Sequence, residues 1–200
     1  MALKNEIIYS IGSKPFGLTF EDCTINWWKW LLAIPKSISP VLDTSGQNAH
    51  VGQLDPNVFF LCQTVEGLGE QPRRKISIGR GKCVFMPILN WISNFYNDGD
   101  SEQELIETAV QRIDAVSNLQ VSIDGHNIQG LTAYRFRSEF FEINMIEDNI
   151  LDIPAGKTRL VSDGYWLFTK PLESDTKIST FGSCSSGITK IGVNYFIKLI

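Results

Sequence analysis

Apolar and polar positions along the chain change period several times, and each change marks an element. From Thr19 to Ile34, Cys23, Trp27, Trp30, Leu31 and Ile34 recur at helical spacing, with Ile25, Trp28 and Leu32 beside them. Only Asp22, Asn26 and Lys29 form a polar stripe, so a helix over about 20–34 needs cover on most sides, from the core, another subunit or both. Thr19 stands at its N-cap and Glu21 and Asp22 in its first turn, where the helix dipole favours negative charge; Pro35 and Pro40 end it. A second helix is expected over 101–117. It opens on Ser101-Glu102-Gln103-Glu104, in which Ser and Glu reciprocally satisfy two free backbone amides, and continues with Leu105, Ala109, Ile113 and Val116 on one face.

Everywhere else the pattern is short. Runs at 6–11, 58–63, 119–123, 140–145, 157–161, 165–169, 177–181 and 193–199 read as strands, with turns around Gly67 and Gly69 and at 149–154 and 182–187. Two hairpins are expected. One joins 74–78 to 82–89 around Gly79-Arg80-Gly81; the other joins 119–123 to 128–136 around Asp124-Gly125-His126-Asn127. About ten strands between Gly, Pro, Asn and Asp turns give a mainly β fold: an antiparallel, jelly-roll-like β-sandwich with two helices. No linker interrupts the pattern, so residues 1–200 are expected to form a single domain.

Composition narrows the function classes. Hydrophobic residues are 43% and charged residues 20% of the chain, an ordinary globular balance. A net charge of −4 argues against a polyanion as main partner, so no nucleic acid is expected. The N-terminal residues lack the apolar run of a secretory signal, and no stretch reaches the roughly 18 apolar residues of a membrane helix. The expectation is a cytoplasmic protein with no membrane partner. Cys23, Cys62, Cys83 and Cys184 are far apart and lack neighbouring His at ligand spacing, so they read as small buried residues in a reducing compartment, with no metal.

Candidate chemistry thins out on inspection. Gly81-Lys82 and Gly156-Lys157 lack the upstream glycine of a phosphate loop, Ile76 and Leu151 standing there instead, and both lead into strands. No cofactor is expected. His126 falls in a hairpin turn, and His50 in the polar loop shared with Asp43 is the better base. The acids Asp98, Asp100, Glu102 and Glu104 lack a calcium-loop register and suit a helix start. Arg73, Arg74, Lys75, Arg80 and Lys82 have no interleaved aromatics, so they read as a solvated, protected strand edge. Ser162-Asp163-Gly164-Tyr165-Trp166 reads as a turn leading into an aromatic strand.

Two stretches carry a resemblance. The first runs Trp27-Trp28-Lys29-Trp30, Ile34-Pro35, Asp43-Thr44-Ser45-Gly46, Val58-Phe59-Phe60-Leu61, Ile78-x-x-Gly81-Lys82, Phe85-Met86-Pro87-Ile88-Leu89-Asn90. The second is Ser162-Asp163-Gly164-Tyr165-Trp166-Leu167-Phe168-x-Lys170-Pro171-Leu172. Together they span 17–172 and resemble a family of uncharacterised bacterial and archaeal proteins with no established activity to transfer. The resemblance implies that many relatives are secreted and carry a cysteine near position 50 and another at position 76. Here Asn48-Ala49-His50 and Ile76 stand there, and Gly79-Arg80 replaces Pro-Ala.

These observations favour a non-enzymatic β-sandwich acting by self-assembly or protein interaction, as a homo-oligomer. The alternative is a module for a carbohydrate or small polar ligand, bound among Trp28, Asp43, His50, Gln53, Lys82, Asn90, Asp163 and Tyr165, between the Trp-rich helix, the 43–53 loop and the 163–166 turn. A third reading is a hydrolase or lyase using Asp43, His50, Lys82 or Asp163, which requires at least two of them in one pocket.

Overall fold

The computed structural model describes residues 7–65, 71–185 and 190–200. Helix α1 (Phe20–Leu32) and helix α2 (Glu102–Asp114) both open on complete capping boxes, Thr19 with Asp22 and Ser101 with Glu104. The strands are β1 (Val58–Phe60), β2 (Arg73–Ile78), β3 (Cys83–Asn94), β4 (Val116–Ile123), β5 (His126–Asn127), β6 (Arg135–Arg137), β7 (Phe141–Met145), β8 (Gly156–Phe168), β9 (Thr176–Cys184) and β10 (Lys190–Leu199).

They form two sheets. The first has the order β1-β3-β8-β6, with β7 beside β6 on the same flank of β8; the second has the order β2-β10-β9-β4-β5. The fold is mainly β, with two helices and two sheets that do not close into a barrel, compatible with the expected sandwich. Most pairs are antiparallel, but β1 runs parallel to β3 and β2 parallel to β10, so both sheets are mixed.

The long pair β3–β8 is the spine, and alternation along it sends neighbours to opposite faces. On one face lie Phe85, Trp166 and Phe168, covered by α1. The Phe20 ring stacks on Phe136 at 4.6 Å, and Trp27 meets Trp166 edge-on at 5.3 Å. On the other face the cover is shared. The second sheet comes close enough at Gly182 that a Cβ there would lie 3.0 Å from Leu89, while α2 packs on the far halves of β3 and β8, with Arg112 over the Trp91 ring at 4.6 Å. A bulge between Pro87 and Leu89 shifts the spine's register, and buried Gln63 donates its Nε2–H to the Ile88 carbonyl there, at 2.7 Å.

Several local expectations need correction. The 74–89 hairpin does not form: β2 pairs with β10 and β3 with β1 and β8, so Gly79-Arg80-Gly81 crosses between sheets. Burial explains the split. Strand β2 alternates exposed and buried residues, as a strand with one solvated face must, whereas β3 is buried on both faces through Leu89. Residues 162–166 are not a turn but the middle of β8, where nine successive residues from Leu160 to Phe168 are buried. In the 119–136 region the turn is Asp124-Gly125, both at positive φ; His126 and Asn127 form the whole return strand, and a 3-10 turn at Leu131–Tyr134 follows. Of the strand expected at 6–11, Glu6 lies outside the described residues, and Ile8 makes one bridge, to Thr169. The turn at Gly67 and Gly69 also lies outside them, as does the last part of 182–187; Gly182, Ser183 and Cys184 belong to β9.

Candidate functional site: the open face of the second sheet

Several of the residues expected to line a cleft beside α1, among them Asp43, Gln53, Lys82 and Asp163, make contacts that tie the fold together. Asp43 accepts hydrogen bonds from the Ser45 and Asn48 amides at 2.7 and 2.8 Å. Burial raises its pKa, but these donors outweigh burial and hold the carboxyl below its ordinary range. The loop so formed lies against the free edge of β2: the Ser45 carbonyl accepts the Lys75 amide at 2.9 Å, and the Asp43 carbonyl accepts Arg74 Nε at 2.6 Å. Gln53 does the same for β1. Its side-chain amide accepts from Phe60 N at 3.0 Å and donates to Phe60 O at 2.7 Å, as a neighbouring strand would. Lys82 donates to the Asp55 carbonyl at 2.9 Å, and Asp55 in turn accepts the Asn57 and Val58 amides. One loop therefore closes two sheet edges.

Asp163 is buried and receives Arg135 through both Nε and Nη2; Arg135 also reaches Asp114 and the Val110 carbonyl of α2. The Asp163 carboxylate, then Asp114, holds the guanidinium well above its usual pKa range, against the effect of burial. Asn90 faces Gly164, where an added Cβ would lie 2.5 Å from the Asn90 Cβ, and the Asn90 Nδ2 has no partner. Trp28 and Tyr165 are 6% and 8% exposed, and Trp166 is fully buried, so none of these three rings is presented to solvent as a platform. His50 is exposed on the loop. Among the described residues, no hydrogen bond or ion pair joins any two of Asp43, His50, Lys82 and Asp163.

The open feature is the outer face of the second sheet. Alternation turns Arg73, Lys75 and Ser77 of β2, Asn194, Phe196 and Lys198 of β10, and Lys177, Ser179 and Phe181 of β9 outward. The strand register sets Lys75, Phe196 and Lys177 side by side in one row. Phe196 is 37% exposed, with the Lys177 amine 5.3 Å from its ring centre. An open groove of about 590 Å³ runs here, lined by Lys75, Ser77, Asp175, Lys177, Phe196 and Lys198 among others. The rim carboxylates Asp124 and Asp175 accept the Lys177 and Leu199 amides, and no ion pair reaches Lys75, Lys177 or Lys198 among the described residues.

The basic strand is legible in the sequence but its aromatic is not, because Phe196 comes from a strand more than a hundred residues away. A signal was present. In 193–199 Phe196 falls on the polar parity, between Asn194 and Lys198. Four cysteines are free, three of them buried. No set of three or more His, Cys, Asp or Glu side chains among the described residues is placed to hold a metal ion, and no helix among them is long and apolar enough to cross a membrane. No protein family, no curated protein and no solved structure matches the chain.

Proposed function

We propose that the protein is a non-enzymatic β-sandwich that works by protein interaction, docking an acidic segment of a partner on the open face of its second sheet. The observation that carries this reading is Phe196, 37% exposed beside Lys75, Lys177 and Lys198, which form no ion pair among the described residues. Adjacent strands lie about 4.8 Å apart, so the backbones bearing Lys75 and Lys177 flank Phe196 over about 10 Å. An extended peptide crossing the strands sets carboxylates over the two lysines and an apolar side chain over the ring. The overall charge of −4 repels long polyanions, which favours a short acidic protein segment over nucleic acid.

Fluorescence anisotropy with a labelled peptide of alternating glutamate and leucine tests this, with the glutamine-for-glutamate peptide as control. Binding to the acidic peptide that weakens about tenfold in Lys75→Glu and in Phe196→Ser, and falls with added salt, is the expected result. Equal binding of the two peptides, or none to either, overturns the reading. The carbohydrate or small-ligand alternative predicts the opposite preference: a neutral sugar that protects the Phe196 face and no response to salt.

A further inference from the structure

Among the described residues, several sheet edges in this fold are visibly blunted. The Ser45 carbonyl covers β2, and the Gln53 amide covers β1. Strand β4 carries a bulge between Val116 and Asn118 and is met by β5 and the 131–134 turn. Strands β5 and β6 are two and three residues long. Short length, bulges and covering loops are the usual ways of blunting an edge. Strand β7, five residues long, carries no bulge and no hydrogen-bonded covering loop among the described residues. It pairs with β8 on one side, and among the described residues no other hydrogen bond reaches a backbone atom of 141–145.

We infer that the free edge of β7 pairs with the same edge of a second copy of this chain, across a two-fold axis perpendicular to the sheet. Such an axis keeps the same face of each copy on the same side, so only residues of equal parity can stand opposite one another. Centred on Ile143, the antiparallel pairing sets Phe141 opposite Met145, Glu142 opposite Asn144, and Ile143 opposite its own counterpart. All five residues are used, and no like charges meet. Centring on Glu142 would bring two carboxylates together, which disfavours that register. The Ile143-centred pairing continues the half-buried and buried row of Phe141, Ile143 and Met145 from one copy into the next, and leaves Glu142 and Asn144 together on the exposed side. The first sheet then runs unbroken through both copies.

Sedimentation velocity over about 1–100 µM tests the pairing, because dissociation constants in this range are what a short strand interface supports. The unmodified chain is expected to dimerise. Asn144→Glu places like charges opposite each other twice in the dimer while changing only an exposed side chain, and should raise the dissociation constant about tenfold. The double variant Glu142→Lys, Asn144→Glu brings opposite charges together across the axis and should restore the dimer. A monomer throughout the range overturns the inference. So does a dimer indifferent to Asn144→Glu, or a double variant that keeps its circular dichroism spectrum but stays monomeric. Phe196→Ser should leave the dimer unchanged, so this result and the peptide result stand or fall separately.

Discussion

At the scale of single residues, the fold leans on one buried cation. Arg74 is 1% exposed and forms no ion pair among the described residues; its donors go to the carbonyls of Val41, Asp43, Cys62 and Gln63 and to the Tyr195 hydroxyl. Delocalised charge and a fixed fork of donors make such an arrangement possible for arginine and not for lysine. Arg74→Leu and Arg74→Lys are both expected to lower stability, by about 3 kcal/mol or more, because several buried carbonyls lose their donor; the urea midpoint measures it. Three buried acids add an alkaline limit. Burial pushes the Cys23 and Cys62 thiols from an ordinary 9.0, and the Tyr195 phenol from 10.0, up to about 12. Each keeps its proton longer in the folded chain than in the unfolded one, so its contribution is complete below about pH 9 and is lost as pH rises towards 12. Urea midpoints should fall steadily above pH 9, and less steeply in Cys62→Ala than in the unmodified chain. A flat profile to pH 11 would contradict the burial of all three. Burial of Cys23 and Cys62 was legible in the sequence, but that of Arg74 was not: it belonged to a run of surface cations, and only the alternation of β2 separates it from Arg73 and Lys75.

At the scale of elements, both helices were legible because capping and periodicity are local. Many strand positions were legible for the same reason, though not the middle of β8, but strand partners were not. Gly79-Arg80-Gly81 looks like a hairpin turn, yet β2 and β3 differ in how many faces they bury, and that difference sends them to separate sheets. Asp163-Gly164 looks like a turn too. Its composition comes from tertiary demands within a strand: the aspartate answers Arg135, and the glycine makes room for Asn90. The 43–53 loop was expected to form one wall of a ligand cleft; the Asp43 carboxylate instead accepts the Ser45 and Asn48 amides and shapes the loop into a plug for the β2 edge. Gly46 is the test of that role. Its φ is +97, and an added Cβ would lie 2.8 Å from the Lys75 carbonyl, so Gly46→Ala is strained both in its backbone and against β2. The plug should loosen at a cost of about 1–3 kcal/mol. Hydrogen exchange reads it directly: the Lys75 amide should lose protection, while the amides of β8 keep theirs.

At the scale of the whole molecule, the inner face of the first sheet is divided between two covers, the second sheet and α2, and Arg135 ties α2 to the spine. From β6 it binds Asp163 of β8 on one side, and Asp114 and the Val110 carbonyl of α2 on the other. The two ion pairs differ in kind. Asp114 is more than half exposed, so solvent screens its pair and little stability rests on it. Asp163 is 2% exposed, and losing its cation strands a charge inside the protein. Arg135→Leu is therefore expected to cost about 3–5 kcal/mol, and Asp114→Asn less than about 1 kcal/mol. The double variant Arg135→Leu, Asp163→Leu removes the charge along with its partner and should cost clearly less than the sum of the single variants, a positive coupling by urea unfolding. Additive losses would mean that Arg135 acts mainly through α2. In that case protection of the α2 amides would fall to the same extent in Arg135→Leu whether or not Asp163 is present, whereas the geometry expects the damage to centre on β8.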